Sequence, residues 1–398
     1  MIQESCYLNA LGIVCAAGNN GEQVKNNIQS GNVNLVQTDQ YHTGFNVPLG
    51  LINAELPLLP LEHKKWQSRN NQCAMAALQQ IRAEVDTAIA QYGAHRVAVI
   101  IGTSTSGIAE SEQAIRQWVN DGTVPDSYDY GLQEMGAPAQ FIAEVVGAKG
   151  PAYGISTACS SGAKALATAR RLISADLCDA VIAGGVDTMC QLTVQGFQSL
   201  QAVSDSICNP FSVNRKGINI GEGAALFLVS KQKHGVKLVG TGESSDAHHI
   251  SAPDPEGKGA IKCIENALQD GQLQPHQIDY INLHGTATEL NDQMESTAVN
   301  TVFGADVLCS STKPFTGHTL GAAGAVEAGI CWLMLVDDTT QPFMPLHIWD
   351  SQSDPALAPL NFVDTVESSR ATNSAPNYVL SNSFAFGGNN ISLILGRI

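Results

Sequence analysis

Short, unbroken apolar runs alternate along the chain with longer stretches whose apolar positions recur every three or four residues. "RVAVIIGTSTSG" (Arg96–Gly107), "CDAVIAGGVD" (Cys178–Asp187) and "GEGAALFLVS" (Gly221–Ser230) contain runs of the first kind. Each is apolar at consecutive positions, sits beside Gly, Ser or Thr, and predicts a strand buried on both faces. "AKALATARRLISA" (Ala163–Ala175) is of the second kind and sets Ala163, Leu166, Ala169, Leu172 and Ile173 on one stripe of a helix. Strands alternating with helices in this way predict an α/β fold with helices covering a sheet.

The same order of patterns occurs twice. "VIIGTSTSG" is echoed by "YINLHGTATEL" (Tyr280–Leu290). "STACSSGAKAL" is echoed by "STKPFTGHTLGAAGAVEA" (Ser311–Ala328), each leaving a Ser-Thr turn and entering a helix of small residues. "GEGAALFLVSK" is echoed by "GGNNISLILGR" (Gly387–Arg397), a Gly turn and a closing strand. This predicts a duplicated α/β unit with its seam near "KQKHGVK" (Lys231–Lys237) and two similar sheets stacked around central helices. The general self-similarity of α/β chains is the alternative source of such an echo. "DSQSDPALAP" (Asp350–Pro359) predicts a surface loop.

Composition narrows the function classes. A chain of 398 residues, 44% hydrophobic, has room for one large or two medium domains. Its formal net charge of −16 argues against nucleic acid as a partner, which needs concentrated Lys and Arg. The notable basic turns are "HKKWQSR" (His63–Arg69) and "NRKG" (Asn214–Gly217), and solvated turns explain them equally well. No apolar run reaches the ~18 residues of a membrane span, and no secretory signal opens the sequence. Ten Cys without a CxxC pair fit a reduced, cytoplasmic setting.

One cysteine stands in a distinctive context. In "GISTACSSGAKAL" (Gly154–Leu166), Cys159 lies between a β-prone run and a helix of small residues. At a helix N-terminus it would be favoured as thiolate, with free N–H groups able to polarise a carbonyl. A small thiol at a crowded junction is the other possibility. Two histidines share matching contexts. His284 follows "DYINL", and His318 sits at the mouth of an Ala/Gly-rich helix. Neutral imidazoles there would donate to an oxyanion; each also fits a structural hydrogen bond. Lys313 would tune that field and Glu327 would pair with it. His248 and His249 read as a polar loop, and no ligand spacing suggests zinc. In "NSFAFGGNN" (Asn382–Asn390), the glycines after Phe386 permit unusual backbone angles near a ligand, or simply a tight turn.

Together "STACSSG", "HGTAT", "STKPFTGHTLGAAGAVEA" and "SFAFGGNN" resemble the signature blocks of the β-ketoacyl-carrier-protein synthases, in the branch with a Cys-His-His site. The resemblance covers nearly the whole chain. It implies a thiolase-like duplicated α-β-α-β-α layered fold, with residues 1–233 carrying the nucleophile and residues 234–398 carrying the two histidines. It implies that Cys159 takes an acyl group from an acyl carrier protein, while His284 and His318 bind the malonyl thioester and support decarboxylation. Lys313 and Glu327 would hold that arrangement. Thr286 and Thr288 would bind the pantetheine arm. The N–H groups of Cys159 and Phe386 would form the oxyanion hole, the Phe386 ring would gate the acyl tunnel, and Gly387 would join Phe386 in binding substrate. Lys64, Lys65, Arg69 and Arg215 would receive the carrier. No metal or redox cofactor is implied, because the substrates ride on the carrier's phosphopantetheine.

The resemblance also implies a dimer, homomeric or with a chain-length-factor-like subunit, with "GLQEMGAPAQ" (Gly131–Gln140) as the partner-facing loop. The family's "FGFGGTN" reads "FAFGGNN" here, so Ala385 and Asn389 bear on acyl specificity. The overall texture is most similar to ketosynthases of bacterial aryl polyene pathways, with fatty-acid elongation or a non-condensing partner subunit as alternatives. A thiolase would need a second cysteine near the C-terminus, and none follows Cys331.

Overall fold

The computed structural model describes residues 5–41, 44, 46–60, 62–339, 343–365 and 375–398. Its strands are β1 (Tyr7–Cys15), β2 (Val36–Thr38), β3 (Val47–Leu49), β4 (Val97–Gly102), β5 (Ala152–Ile155), β6 (Ala180–Asp187), β7 (Gly223–Ser230), β8 (Val236–Ser245), β9 (Tyr280–Asn282), β10 (Leu308–Ser310), β11 (Asn361–Phe362), β12 (Tyr378–Ala385) and β13 (Asn389–Gly396). The helices are α1 (Gly21–Gln29), α2 (Arg69–Gln80), α3 (Arg82–Tyr92), α4 (Ile108–Asp121), α5 (Ala137–Val146), α6 (Ser161–Ser174), α7 (Gln191–Ser199), α8 (Lys258–Gly271), α9 (Glu289–Phe303), α10 (Lys313–Thr316) and α11 (Ala323–Leu335). The three apolar runs become β4, β6 and β7, buried at every position.

The echo in the sequence is an echo in topology. In the first half the order is β5-β4-β6-β7-β1, with β5, β4 and β6 parallel and β7 antiparallel to both β6 and β1. In the second it is β10-β9-β12-β13-β8, with the same pattern of directions and β11 added at the edge. The two sets are not separate sheets, as the sequence led us to expect. Tyr7 pairs with Lys237 and Leu8 with Val236, which splices them into one eleven-stranded sheet.

The sheet wraps a central pair of helices. One apolar cluster draws Leu8, Ile100, Ala183 and Phe227 from the first half, Tyr280, Val379, Ile391 and Leu393 from the second, and residues of α6 and α11 between them. A second cluster packs α2, α3 and α5 on the outside of the first half, and a third packs α8 and α9 on the outside of the second. The layers therefore run α-β-α-β-α.

This placement explains why α6 and α11 are built of small residues. The stripe expected on α6 is buried except for the half-buried Leu172, and so are Ala165 and Ala167 off the stripe. Two glycines set the helix spacing. A Cβ on Gly162 would meet Cβ of Ala325 at 2.8 Å, and one on Gly324 would meet Cβ of Ala163 at 2.7 Å. Close approach of α6 and α11 brings the turn before one helix against the turn before the other.

Candidate active site

Cys159 occupies the turn between β5 and α6. The helix starts at Ser161, and Ala158 holds φ +53°, in the left-handed region. Such a conformation costs a non-glycine residue roughly 1–3 kcal/mol and persists only where neighbours fix it. Here the Ser160 and Ser161 hydroxyls donate to the carbonyls of Thr157 and Ala158 at 2.7 and 2.6 Å. The Cys159 sulfur lies 3.0 Å from Nε2 of His318, and the amides of Cys159 and Phe386 point at it.

Burial works against the expected thiolate. Cys159 is 6% exposed, and loss of water pushes its thiol up to about 12, with Lys313 and the two amides opposing. Desolvation of a full charge outweighs the partial charge of a helix terminus.

His284 leaves β9 toward α9, and His318 follows α10 ahead of α11. Their rings stand edge to face with centroids 5.5 Å apart. Burial, and then the nearby Lys313 charge, hold both imidazoles well below their ordinary range, so both are neutral near pH 7. The Lys313 ammonium donates to Glu327 and to the His284 carbonyl, and lies 3.5 Å from Nδ1 of His284. An ammonium accepts nothing, so Nδ1 of His284 is its acceptor and Nε2 carries the proton.

Ligand atoms of Cys159, His284 and His318 all lie within 4.8 Å of one another. This convergence is invisible in the sequence spacing and is a donor set that zinc can accept. The Lys313 ammonium beside it repels a cation.

The group opens into a cavity of about 310 Å³. Thr286 and Thr288 line it, their hydroxyls 2.9 Å apart. Phe386 lines it too, with its ring 5.7 Å from that of Phe197. Gly387 at φ +84° donates its N–H to the Ile250 carbonyl at 2.8 Å.

Of the four basic residues, only Arg215 lines this cavity. Arg69 grips both oxygens of the buried Glu222, and Arg215 binds Asp354 at 2.6 Å. Both guanidiniums are paired with carboxylates of their own chain, the wholly buried Glu222 and the partly exposed Asp354. Lys64 donates to the Asp126 carbonyl, and the Lys65 ammonium sits 4.2 Å over the Trp66 ring. Neither lysine lines the cavity. In Gly131–Gln140, Leu132 is buried against its own chain, and its carbonyl accepts from Gly107 N–H and the Ser106 hydroxyl.

Four positioning residues escape a reading of the sequence. The Glu295 carboxylate accepts the amides of His284 and Gly285, both at 2.7 Å, and burial raises it to about 7. Asp292 accepts from Ala287 and Phe211 and rises to about 6 for the same reason. Two acids three apart within a helix, next to Met294, Ala298 and Val299, were the available signal. Asp187, wholly buried, ties Thr103, Ser104 and Thr105 to the amide of Gly321, just past His318. His347 accepts the Ser311 amide on Nδ1 at 3.1 Å, and its Nε2 lies 3.2 Å from the Pro210 carbonyl. Burial lowers it to about 3, which keeps Nδ1 an acceptor. The Ser311 hydroxyl in turn donates to the Gly285 carbonyl at 2.7 Å.

Comparison with known proteins follows this geometry. Residues 67–234 match the model described as "Beta-ketoacyl synthase, N-terminal domain", and residues 236–347 match "Beta-ketoacyl synthase, C-terminal domain". A 3-oxoacyl-(acyl-carrier-protein) synthase 2 of Coxiella burnetii is 37% identical over 63% of each chain. A protein of the same name from Staphylococcus aureus strain COL is 29% identical over 92% of this chain and 90% of its own. Among solved structures, the ketosynthase ApeO in complex with its chain length factor ApeC from Xenorhabdus doucetiae superposes with a TM-score of 0.91. The identity is 44%, over 99% of this chain and 98% of that one. The ishigamide ketosynthase/chain length factor gives 0.87 at 26% identity, covering 100% of both chains.

Proposed function

This chain belongs to the β-ketoacyl synthase family, and from that premise we propose that it condenses an acyl group held on Cys159 with malonyl units delivered on a carrier protein. The observation that carries this reading is the meeting of a buried thiol and two neutral imidazoles on one cavity.

Cys159 attacks the carrier-bound acyl thioester, its oxyanion facing the amides of Cys159 and Phe386. The thiol proton passes by way of His318, 3.0 Å away, to the departing pantetheine sulfur. The malonyl thioester then occupies the same cavity, its pantetheine arm against Thr286 and Thr288. Its carboxylate leaves as CO2, and the electron pair becomes an enolate whose oxygen accepts from His284 and His318. The enolate carbon attacks the acyl-Cys159 carbonyl, the carbon–sulfur bond breaks, and the released Cys159 thiolate takes up one proton from solvent by way of His318. Neutral donors suit an enolate, and the Lys313–Glu327 pair holds His284 in the donating tautomer.

The halves of the enzyme meet between residues 233 and 234, in the turn between β7 and β8. Elongation of an aryl polyene, as a heterodimer with a chain-length-factor-like subunit, is supported by the 44% identity to ApeO, itself solved with a chain length factor. No helix among the described residues is long and apolar enough to cross a membrane, in keeping with a cytoplasmic enzyme.

Intact-protein mass spectrometry tests the reaction. Incubation with acyl carrier protein adds one acyl mass, and Cys159→Ala abolishes the addition. A parent enzyme left unmodified by carriers of several acyl lengths would sink the proposal.

A further inference from the structure

Cys159, His284 and His318 bring one sulfur and two imidazole nitrogens within 4.8 Å of one another, and all three side chains are buried. Tetrahedral zinc holds sulfur at about 2.3 Å and nitrogen at about 2.0–2.1 Å, so its ligand atoms stand roughly 3.3–3.6 Å apart. The Cys159 sulfur and Nε2 of His318 are 3.0 Å apart. Shifts on the order of 1 Å therefore turn these side chains into a zinc shell with a fourth position open to water. The cavity of about 310 Å³ that all three line gives the ion a way in. A chain of net charge −16 also gathers cations around itself.

Coordination by these groups is a substitution. The ion replaces the Cys159 thiol proton, which leaves to solvent, and takes a lone pair from one nitrogen of each imidazole. His318 sets no obstacle. Its Nδ1 has no hydrogen-bond partner among the described residues, so a proton can sit there while Nε2 holds metal. His284 differs, because Lys313 Nζ lies 3.5 Å from its Nδ1. A metal on Nδ1 meets the ammonium directly. A metal on Nε2 drives the ring proton to Nδ1, where it faces the N–H donors of Lys313 with no acceptor between them. Zinc-binding histidines ordinarily have the reverse neighbour, a carboxylate or carbonyl that accepts from the second nitrogen. Charge adds to geometry, since ammonium and dication repel strongly where water screens poorly.

We propose that Cys159, His284 and His318 form a latent zinc site, and that Lys313 keeps zinc out of it by its charge and by fixing the His284 tautomer. Lys313 then protects the thiol and both imidazoles from a metal that would silence all three at once. Glu327 is the other charge to weigh. Its carboxylate binds Lys313, and its Oε2 is buried without a hydrogen-bond partner among the described residues. Removal of the lysine alone leaves a bare buried carboxylate, which attracts a cation whatever the three ligands do. Removal of both charges isolates the donor set.

Zinc itself is the probe, its affinity for the full chain read by competition with a chromophoric chelator. Lys313→Met with Glu327→Gln keeps the shape of the ion pair and removes its charges. This double variant binds one zinc about a hundredfold more tightly than the parent. Adding Cys159→Ser returns the affinity to that of the parent. Cobalt in place of zinc gives the thiolate-to-metal absorption of a tetrahedral site in the double variant and not in the parent. The parent alone supplies a second measurement that needs no variant to fold. Zinc in molar excess leaves alkylation of its Cys159 by iodoacetamide within about twofold. A parent that zinc protects from alkylation, or that binds zinc as tightly as the double variant, would overturn the proposal. So would tight binding in Lys313→Met that Glu327→Gln removes, which assigns the metal to the bare carboxylate. Each readout is metal binding or thiol access, so failure here leaves the condensing reading untouched.

Discussion

At the scale of residues, the proposed chemistry rests on three groups that burial disposes to the uncharged form. Burial raises the Cys159 thiol to about 12 and lowers both imidazoles. A raised thiol pKa means less thiolate at any given pH, so alkylation of Cys159 by iodoacetamide should climb about tenfold per pH unit from pH ~7 to ~9.5. A plateau near pH 8 would show an activated thiolate instead. The sequence singled out Cys159 but gave no sign of the burial that opposes its thiolate. Position next to a helix is legible in "STACSSGAKAL", whereas the number of side chains that close over the sulfur is set by the tertiary fold. The same holds for Arg69 and Arg215. Their charge is plain in the sequence, but Glu222 and Asp354, which claim it, lie 153 and 139 positions away.

At the scale of elements, patterns of period and of small residues carried most of the information. Fully apolar runs became buried strands, and "GAAGAVEA" became a helix buried on nearly every face, because only small side chains let α6 and α11 approach. The acids of α9 and the histidine after α11 were opaque for a common reason. Each acts on backbone amides of a distant turn, which no local pattern records. His347 is a positioning residue that braces Ser311, and through it the turn carrying His284 and Lys313. Its contacts lie on the imidazole side of the site and away from Cys159. His347→Phe should therefore slow decarboxylation of malonyl carrier by about tenfold while acylation of Cys159 stays within about twofold. A uniform loss of both steps, tracking a drop in Tm, would mark His347 as merely structural.

At the scale of the whole molecule, the duplicated topology was legible because β7 and β13 each follow a Gly turn, and β4 and β9 each run into a small-residue turn. The splice between the halves was not, since it rests on two residue pairs at Tyr7 and Leu8. The far edge of the first half is β5, paired with β4 on one side and half-exposed along its length. A free edge of this kind is a template for pairing with another chain. Tyr153→Pro places a residue without an N–H on that edge, and light scattering should then report a shift from dimer to monomer. An unchanged dimer mass would place the interface elsewhere. The turn bearing Cys159 is fastened by the hydroxyls of Ser160 and Ser161, and the sulfur carries none of that load. A duplicated gene in which a codon for another small residue replaced this one should still encode a chain that folds and assembles. On the proposed mechanism, catalytic silence is then one substitution away, and it leaves a chain fit for the second seat of a dimer.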